Sequence, residues 1–558
     1  MSNVTANKRF RALLIVTLIA SSVVHLWNPV GYPTIHVDEG TYLRRAMHLL
    51  EGLGPKEELW GYDHPFFGPM FLAATLFIFG YPSITNPDLS NKDSFRSLYL
   101  VPRLIMGILA VIDTYLVYKI GEVRYGRKIA VIAAILFAVM PLTWLLRRIY
   151  LESILLPFLL ASILFAIKPY NDKLEIQIGH SLGRSFTNRG NQLRILHLYI
   201  PNIVFSAIFL GLAIFTKAPV IAMIPLLAYL VYKSSKSLVI VGLWFIPVIL
   251  IPIIWPLHAA MTGELEEWIS GISWQFSRLN NSFLDSVYSI FLIDPALALV
   301  SAIGITFAVY KRDFLIMLWV VPLTILFGIM LNYVNWFHWI PIQPALCIAA
   351  ANLIYSILVT RRIGKNFRRV IGGLVVSTVI FGVIGIGSLI TMDLSAFQFE
   401  SFAFTGKLLT NGTIESSQIL ESEKQYEDDP KRENIYSGHD ISNPTIISSP
   451  VYSWVFKYVF NYGERAHASY LENESVTTEH VVLIVDRYFR DYMAAEYQSF
   501  QNGDTKTRSD FEQLVRIDDG ARTLATFEGV SSKYNRFIYP YTSLGYNFGG
   551  SPVEVKVR

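Results

Sequence analysis

Long apolar runs separated by short polar breaks fill the first two thirds of the chain. Runs long enough to cross a bilayer lie near 10–28, 99–119, 129–146, 150–167, 199–215, 218–232, 238–257, 287–310, 314–331, 339–358 and 370–391. Each predicts a transmembrane helix, eleven in all, because about twenty apolar residues match the hydrocarbon thickness. The run from Phe66 to Phe79 is shorter, carries Pro69, and has glycines near its ends. After Thr391 the long runs stop. Polar and charged residues then alternate with short strand-like stretches at Thr445–Ile447, Val481–Val485 and Leu524–Phe527. These predict a globular α/β or β-rich unit over residues 392–558, following a membrane domain over residues 1–391.

Charge decides how the runs are threaded. Basic clusters fall at Arg124/Arg127/Lys128, at Lys168 to Arg194, at Lys233/Lys236, at Lys311/Arg312 and at Arg361 to Arg369. If residues 66–79 do not cross, all five share one side with Lys8, Arg9 and Arg11. Basic residues concentrate on the cytoplasmic face of membrane proteins. Residues 29–98 are therefore expected to form one long external loop, with 66–79 lying in the membrane plane or dipping into it. The 199–215 and 218–232 runs are nearly continuous and predict a tight hairpin. The same parity places residues 392–558 outside. There Asn411-Gly-Thr413 and Asn473-Glu-Ser475 have the form of glycosylation acceptors.

Composition agrees with this reading. Of 558 residues, 53% are hydrophobic and only 16% charged, with a mean hydropathy of +0.41. That excludes an ordinary soluble enzyme and fits a multi-pass protein of a cell membrane or endoplasmic reticulum. The aromatic share of 14% suits the interfacial belts where Trp and Tyr settle. The single cysteine, Cys347, excludes an intrachain disulfide. The basic N-terminus before the first run resembles a signal peptide, but the run is long and further spans follow, so an uncleaved first span is expected.

Once the sides are assigned, ionisable residues collect on the external face. They are His36, Asp38 and Glu39 after the first span, Asp63 and His64 before the in-plane segment, and Arg103 entering the second span. Arg147, Arg148 and Glu152 follow between the third and fourth, then Lys217 at the hairpin tip, and Asn335 with His338 before the tenth. The loop 258–286 adds Glu264, Glu266, Glu267, Arg278 and Asp285. Charges at such depth are costly to place and usually have a task. A carboxylate at the surface can take a proton from a hydroxyl, and cations can hold a phosphate as it leaves. Group transfer from a phosphate-linked lipid follows. Arg148 and Glu152, four apart, are expected to share a helix face, with Glu152 orienting Arg148.

Plainer readings stand beside these. Asp38 and Glu39 could cap a helix over Gly40–Leu50. Arg103 could snorkel at the interface, and Lys217, His64 and His338 could be packing residues. Asp113, in mid-span, is expected to pair with another polar group. His36, Asp38, His48, Asp63 and His64 could ligate a divalent cation, although their spacing matches no metal motif. A transporter or lipid flippase would instead place its charges at mid-bilayer. A mere anchor for residues 392–558 would not need so many ionisable residues at one surface.

In order and spacing the motifs resemble those of the protein O-mannosyltransferase family. That family belongs to the GT-C superfamily of membrane glycosyltransferases, which includes the lipid A aminoarabinose transferases. The similar elements are Asp38-Glu39, Asp63-His64-Pro65-Phe66-Phe67, Leu100-Val-Pro-Arg103, Arg148-Ile-Tyr-Leu-Glu152, Phe215-Thr-Lys217 after Gly211-Leu-Ala213, and Ile340-Pro-Ile-Gln-Pro344. The likeness spans roughly residues 10–360. It implies a polyprenyl- or dolichyl-phosphate sugar donor and an inverting transfer to a hydroxyl of a protein, lipid or glycan. It implies Asp38 as general base, with Glu39 assisting or contacting a metal or acceptor, and Arg148, Arg103 and Lys217 as candidates for the donor phosphate. Phe66 stands where a second proline is expected. No arginine precedes the late aromatic segment, where His338 is the available substitute.

Overall fold

The structure is a computed structural model. It describes residues 2–55, 62–83, 91–167, 188–277, 283–331, 334–360, 364–411, 444–468, 480–501, 508–528 and 552–558. Both glycosylation triplets extend outside the described residues, as does Arg278.

Every predicted span falls on helix. The helices are α1 (Ser2–Leu26), α2 (Val37–Leu50), α3 (Phe67–Ile78), α4 (Lys92–Tyr125), α5 (Arg127–Val139), α6 (Leu151–Ile167), α7 (Asn188–Thr216), α8 (Ile224–Ser235), α9 (Leu238–Leu250) and α10 (Ile254–Met261). There follow α11 (Leu265–Ser277), α12 (Phe283–Ile293), α13 (Pro295–Tyr310), α14 (Phe314–Ile325), α15 (Gln343–Val359), α16 (Lys365–Ile390) and α17 (Ala396–Asn411). Among the described residues, five helical segments are long and apolar enough to cross a membrane, or eight if each bent pair counts as one span. At about 1.5 Å per residue, α3 is roughly 18 Å long, short of a hydrocarbon core of about 30 Å.

Prolines interrupt this bundle where function gathers. Three 3-10 segments, Pro141–Arg147, Ala218–Met223 and Trp336–Ile342, break the α-helical course, and each contains a proline. Proline lacks the N–H that an α-helix needs. Irregular backbone at membrane depth persists only where protein encloses it or it lines a cavity. Accordingly, Pro141–Arg147 and Trp336–Ile342 are buried throughout. The core around them is formed where α6 packs on α7 and α4, α13 on α15, and α5 on α15.

Residues 444–558 add β1 (Thr445–Ser448), α18 (Pro450–Trp454), β2 (Ala466–Ala468), β3 (Val481–Val485), α19 (Arg487–Gln501), α20 (Arg508–Gly520), β4 (Arg522–Phe527) and β5 (Val553–Val557). The sheet order is β2-β1-β3-β5-β4. β1 runs parallel to β2 and β3, pairing Ile446 with Ala466 and Val482. β5 runs antiparallel to β3 and β4, pairing Val555 with Ile484 and Ala525. Strand β3 is buried on both faces, which explains its unbroken Val-Val-Leu-Ile-Val. Val481, Leu483 and Val485 pack with Phe489, Leu514 and Ile517 of α19 and α20. Val482 faces Leu408 of α17 on the other side. The carboxyl ends of β1 and β3 lead into α18 and α19, and α18 lies directly on α2. That approach requires Gly40, because a Cβ there would fall on the Pro450 carbonyl oxygen.

Candidate active site

Glu39 is the hub that holds the external loop together. Helix α2 begins with a capping box: the His36 N–H donates to Glu39 Oε2 at 2.9 Å, and the Asp38 N–H donates to His36 Nδ1 at 3.3 Å. Glu39 is fully buried. Its Oε1 accepts from Arg103 Nε at 2.9 Å and from the Ile149 N–H at 3.1 Å. Its Oε2 also accepts from Arg103 Nη2 at 2.8 Å and Arg148 Nη1 at 3.3 Å. Burial pushes this carboxyl up, but the two guanidinium groups overcome it and hold the group below the ordinary carboxylate range.

This arrangement corrects three expectations. Glu39 is saturated with protein donors and has no place for an acceptor or metal. Arg103 spends its remaining N–H groups on the carbonyls of Pro29, Val30, Pro33 and Thr34. It is a clamp on that loop, with no donor left for a phosphate. Arg148, fully buried, donates to the Thr34 carbonyl at 2.5 Å and stacks near Trp144, Tyr150 and Trp336. It does not share a helix face with Glu152, because its backbone is extended and α6 begins only at Leu151. Arg147 likewise donates to the carbonyls of Val24, Trp27 and Asn28, closing the C-terminal end of α1.

Asp38 behaves differently from its neighbour. Its side chain keeps 29% exposure, and its Oδ1 lies 3.9 Å from His36 Nδ1. Around His36 stand four aromatic rings, edge to face: Tyr150 and Tyr488 at 5.3 Å, Trp336 at 6.1 Å and Phe337 at 6.4 Å. Tyr488, from α19, brings the C-terminal unit into this wall. Burial, reinforced by Arg148, holds the His36 imidazole well below its ordinary pKa, so the ring is neutral.

Phe337 also adjoins a second group of polar residues. Lys217 Nζ is 5.0 Å from the Phe337 ring centre and forms a buried ion pair with Glu152. Glu152 therefore pairs with Lys217, not with Arg148. The break between α7 and the Ala218–Met223 segment leaves Lys217 extended. Glu152, Lys217, Val220, Phe327, His338 and Pro341 line one small pocket. His338 Nδ1 accepts the Asn335 N–H at 2.9 Å, so the proton of the neutral ring is on Nε2.

Asp63 and His64 lie after α2 in the chain and return to it through Arg45. Arg45 donates to Asp63 at 2.7 Å, His64 Nε2 is 3.8 Å from the same carboxylate, and Gln275 of α11 reaches both. This cluster ties α2 to α11. Among the described residues no group of three or more His, Cys, Asp or Glu could hold a metal ion. His48 binds the Gly54 carbonyl. Glu264 accepts from the Tyr62 hydroxyl, and Glu266, Glu267 and Asp285 lie in the first turns of α11 and α12. Asp113 is buried with neither oxygen hydrogen-bonded among the described residues, against the expectation of a polar partner.

Sequence reasoning overlooked Tyr42 and Arg45. Tyr42 is buried, and its phenol is pushed up by burial and then by the negative charges of Asp38 and Glu152. The spacing Asp38, Tyr42, Arg45 marks one helix face and was the available signal. Tyr488 had none, being 450 positions from Asp38.

The sequence matches no family model and no curated protein. The fold, however, is similar to that of solved membrane-protein structures at low sequence identity. The oligosaccharyltransferase of Archaeoglobus fulgidus, tethered to an acceptor peptide with an NVT sequon, superposes with a TM-score of 0.53 at 14% identity, covering 94% of this chain and 74% of that one. The same archaeal AglB, in complex with an inhibitory peptide and a dolichol-phosphate, gives 0.51 at 14% identity, covering 88% and 71%. ArnT from Cupriavidus metallidurans bound to undecaprenyl phosphate gives 0.48 at 11% identity, covering 88% and 95%.

Proposed function

We propose that this chain is an integral membrane glycosyltransferase moving a sugar from a polyprenyl- or dolichyl-phosphate donor to a hydroxyl acceptor. The observation that carries the reading is the convergence on Phe337. The His36 ring, beside the partly exposed Asp38 carboxylate, packs 6.4 Å from the Phe337 ring, and Lys217, which shares a pocket with His338, brings its Nζ within 5.0 Å of the same ring. In the proposed step Asp38 takes the proton of the acceptor hydroxyl, whose oxygen attacks C1 of the sugar from the face opposite the phosphate. The C1–O bond breaks, its electron pair passes to the phosphate, and Lys217 with His338 Nε2–H stabilises the charge. Configuration at C1 inverts. Arg103, Arg148 and Glu39 keep α2 and the 29–34 loop in place for this chemistry.

The eleven-span topology, the external placement of the site, and the division into a membrane domain over 1–391 and an outer unit over 392–558 belong to the same proposal. So does the finer likeness to the O-mannosyltransferases. The dolichol-phosphate held by archaeal AglB makes the same class of carrier the first donor to try. Membranes containing the protein are incubated with radiolabelled polyprenyl-phosphate sugar, and label is followed into protein, lipid or glycan. Asp38→Asn is expected to abolish transfer while the protein still inserts. Normal transfer by that variant removes Asp38 as base.

A further inference from the structure

His36 is an unusual choice for a helix cap. Ser, Thr, Asp and Asn fill that position best, and any of them would satisfy the Asp38 N–H. An imidazole that accepts at Nδ1 while neutral must carry its proton on Nε2. The ring is neutral for the reason given above: burial, and the positive charge of Arg148 nearby. Facing the ring are Asp38 on its own helix, Arg148 beside the start of α6, and Tyr150 and Tyr488. The residue is only 7% exposed. Yet Nε2 has no hydrogen-bond partner among the described residues, while the Nδ1 side is accounted for by Asp38. The residue is buried, but this nitrogen is not among the side-chain atoms sealed off without a partner, so a bound hydroxyl can reach it.

The surroundings indicate what would meet it. Tyr150, Trp336, Phe337 and Tyr488 come from three separate regions of the chain and converge on one imidazole. Aromatic rings beside polar donors, the imidazole Nε2 and the unmatched Tyr150 hydroxyl, suit a ring that is apolar on its faces and hydroxylated at its rim. A pyranose has that character, whereas an isoprenoid tail would not use the donor and a phosphate would call for a cation. The donor also lies one ring width from the Nδ1 that sits beside the Asp38 carboxylate. A sugar whose C1 is attacked by an oxygen held at Asp38 brings its own hydroxyls into that space.

We propose that His36 is a sugar-binding residue: its Nε2–H donates to a hydroxyl oxygen of the transferred pyranose, while its Nδ1 fixes the start of α2 and so aims Asp38. This rests on the glycosyltransferase reading and adds the subsite for the sugar itself. The step involves no proton transfer at His36, only a hydrogen bond.

The test separates sugar from carrier. Affinities of the purified full-length protein are measured for dolichyl phosphate and for a panel of dolichyl-phosphate glucose and mannose. Wild type is expected to bind at least one sugar-bearing lipid more tightly than the bare phosphate. His36→Asn keeps a capping oxygen but withdraws the distant donor, and is expected to lose about tenfold on the sugar-bearing lipid, the worth of one good hydrogen bond. Its affinity for dolichyl phosphate should remain that of wild type. Tyr488→Leu, which removes one wall without touching the cap, should erode the same preference. Equal preference in wild type, His36→Asn and Tyr488→Leu overturns the proposal, as does a parallel loss on both lipids. Binding of neither lipid by wild type instead overturns the glycosyltransferase reading beneath it.

Discussion

Neighbouring carboxylates with opposite duties give the sharpest test, and Glu39→Gln is the perturbation to make. Glu39 accepts five hydrogen bonds, two at Oε1 and three at Oε2. A glutamine keeps one oxygen and turns an amide NH2 toward the donors the other oxygen served. At least two buried donors lose their acceptor, at about 1–3 kcal/mol each. Arg103 and Arg148, both fully buried, also lose their anion, and breaking such a pair from one side costs about 3–5 kcal/mol. These terms overlap, so the expected loss is about 3–5 kcal/mol, a large part of the roughly 5–15 kcal/mol that holds a protein folded. Thermal unfolding in detergent, followed by tryptophan fluorescence, reads the effect, with size exclusion reporting aggregation. Glu39→Gln should melt well below wild type and lose its monodisperse peak. Asp38→Asn, at a partly exposed position, should melt within about 0.5 kcal/mol of wild type. A Glu39→Gln protein that melts like wild type and loses only transfer would refute the structural role and return Glu39 to the chemistry.

Two further outcomes follow from the junction with the C-terminal unit. Gly40→Ala sets a methyl against the Pro450 carbonyl and Trp454; overpacking of this kind costs about 1–3 kcal/mol, and the variant should melt lower and expose residues 444–558 to protease. A wild-type digestion pattern would mean that the contact is dispensable. Asp486, which caps α19 and accepts from Ser449 Oγ, is pushed by burial up to about 6. Its folded state binds the proton more tightly than the unfolded chain. Its stabilising contribution is therefore full below the ordinary carboxylate pKa and declines as pH rises through about 6. Melting curves between pH 4.5 and 7 should show this decline in wild type, and Asp486→Asn should flatten it.

What could be read from sequence was what the chain encodes locally. Membrane spans depend on the apolar length of one segment, so each predicted run landed on a helix. Strands Thr445–Ser448, Val481–Val485 and Arg522–Phe527 were visible as apolar or alternating runs. Ala466–Ala468 was missed because three residues make no pattern, whereas Val553–Val557 alternates apolar and charged residues and was legible but overlooked. Within the site, residue types were legible and partners were not. Lys217 finds Glu152 across 65 positions and Arg103 finds Glu39 across 64, distances over which no periodicity speaks. The supposed Arg148–Glu152 pair failed for a local reason, since helical spacing was assumed across a segment that is extended at Arg148.

The clasp on the 29–34 loop has a consequence for how the protein is made. The groups that surround the start of α2 come from far along the chain: Arg103, then Ile149, then Phe337, then Pro450 and Tyr488. All of them are synthesised after Asp38, so its surroundings are assembled stepwise and close only when the last of these residues has been placed.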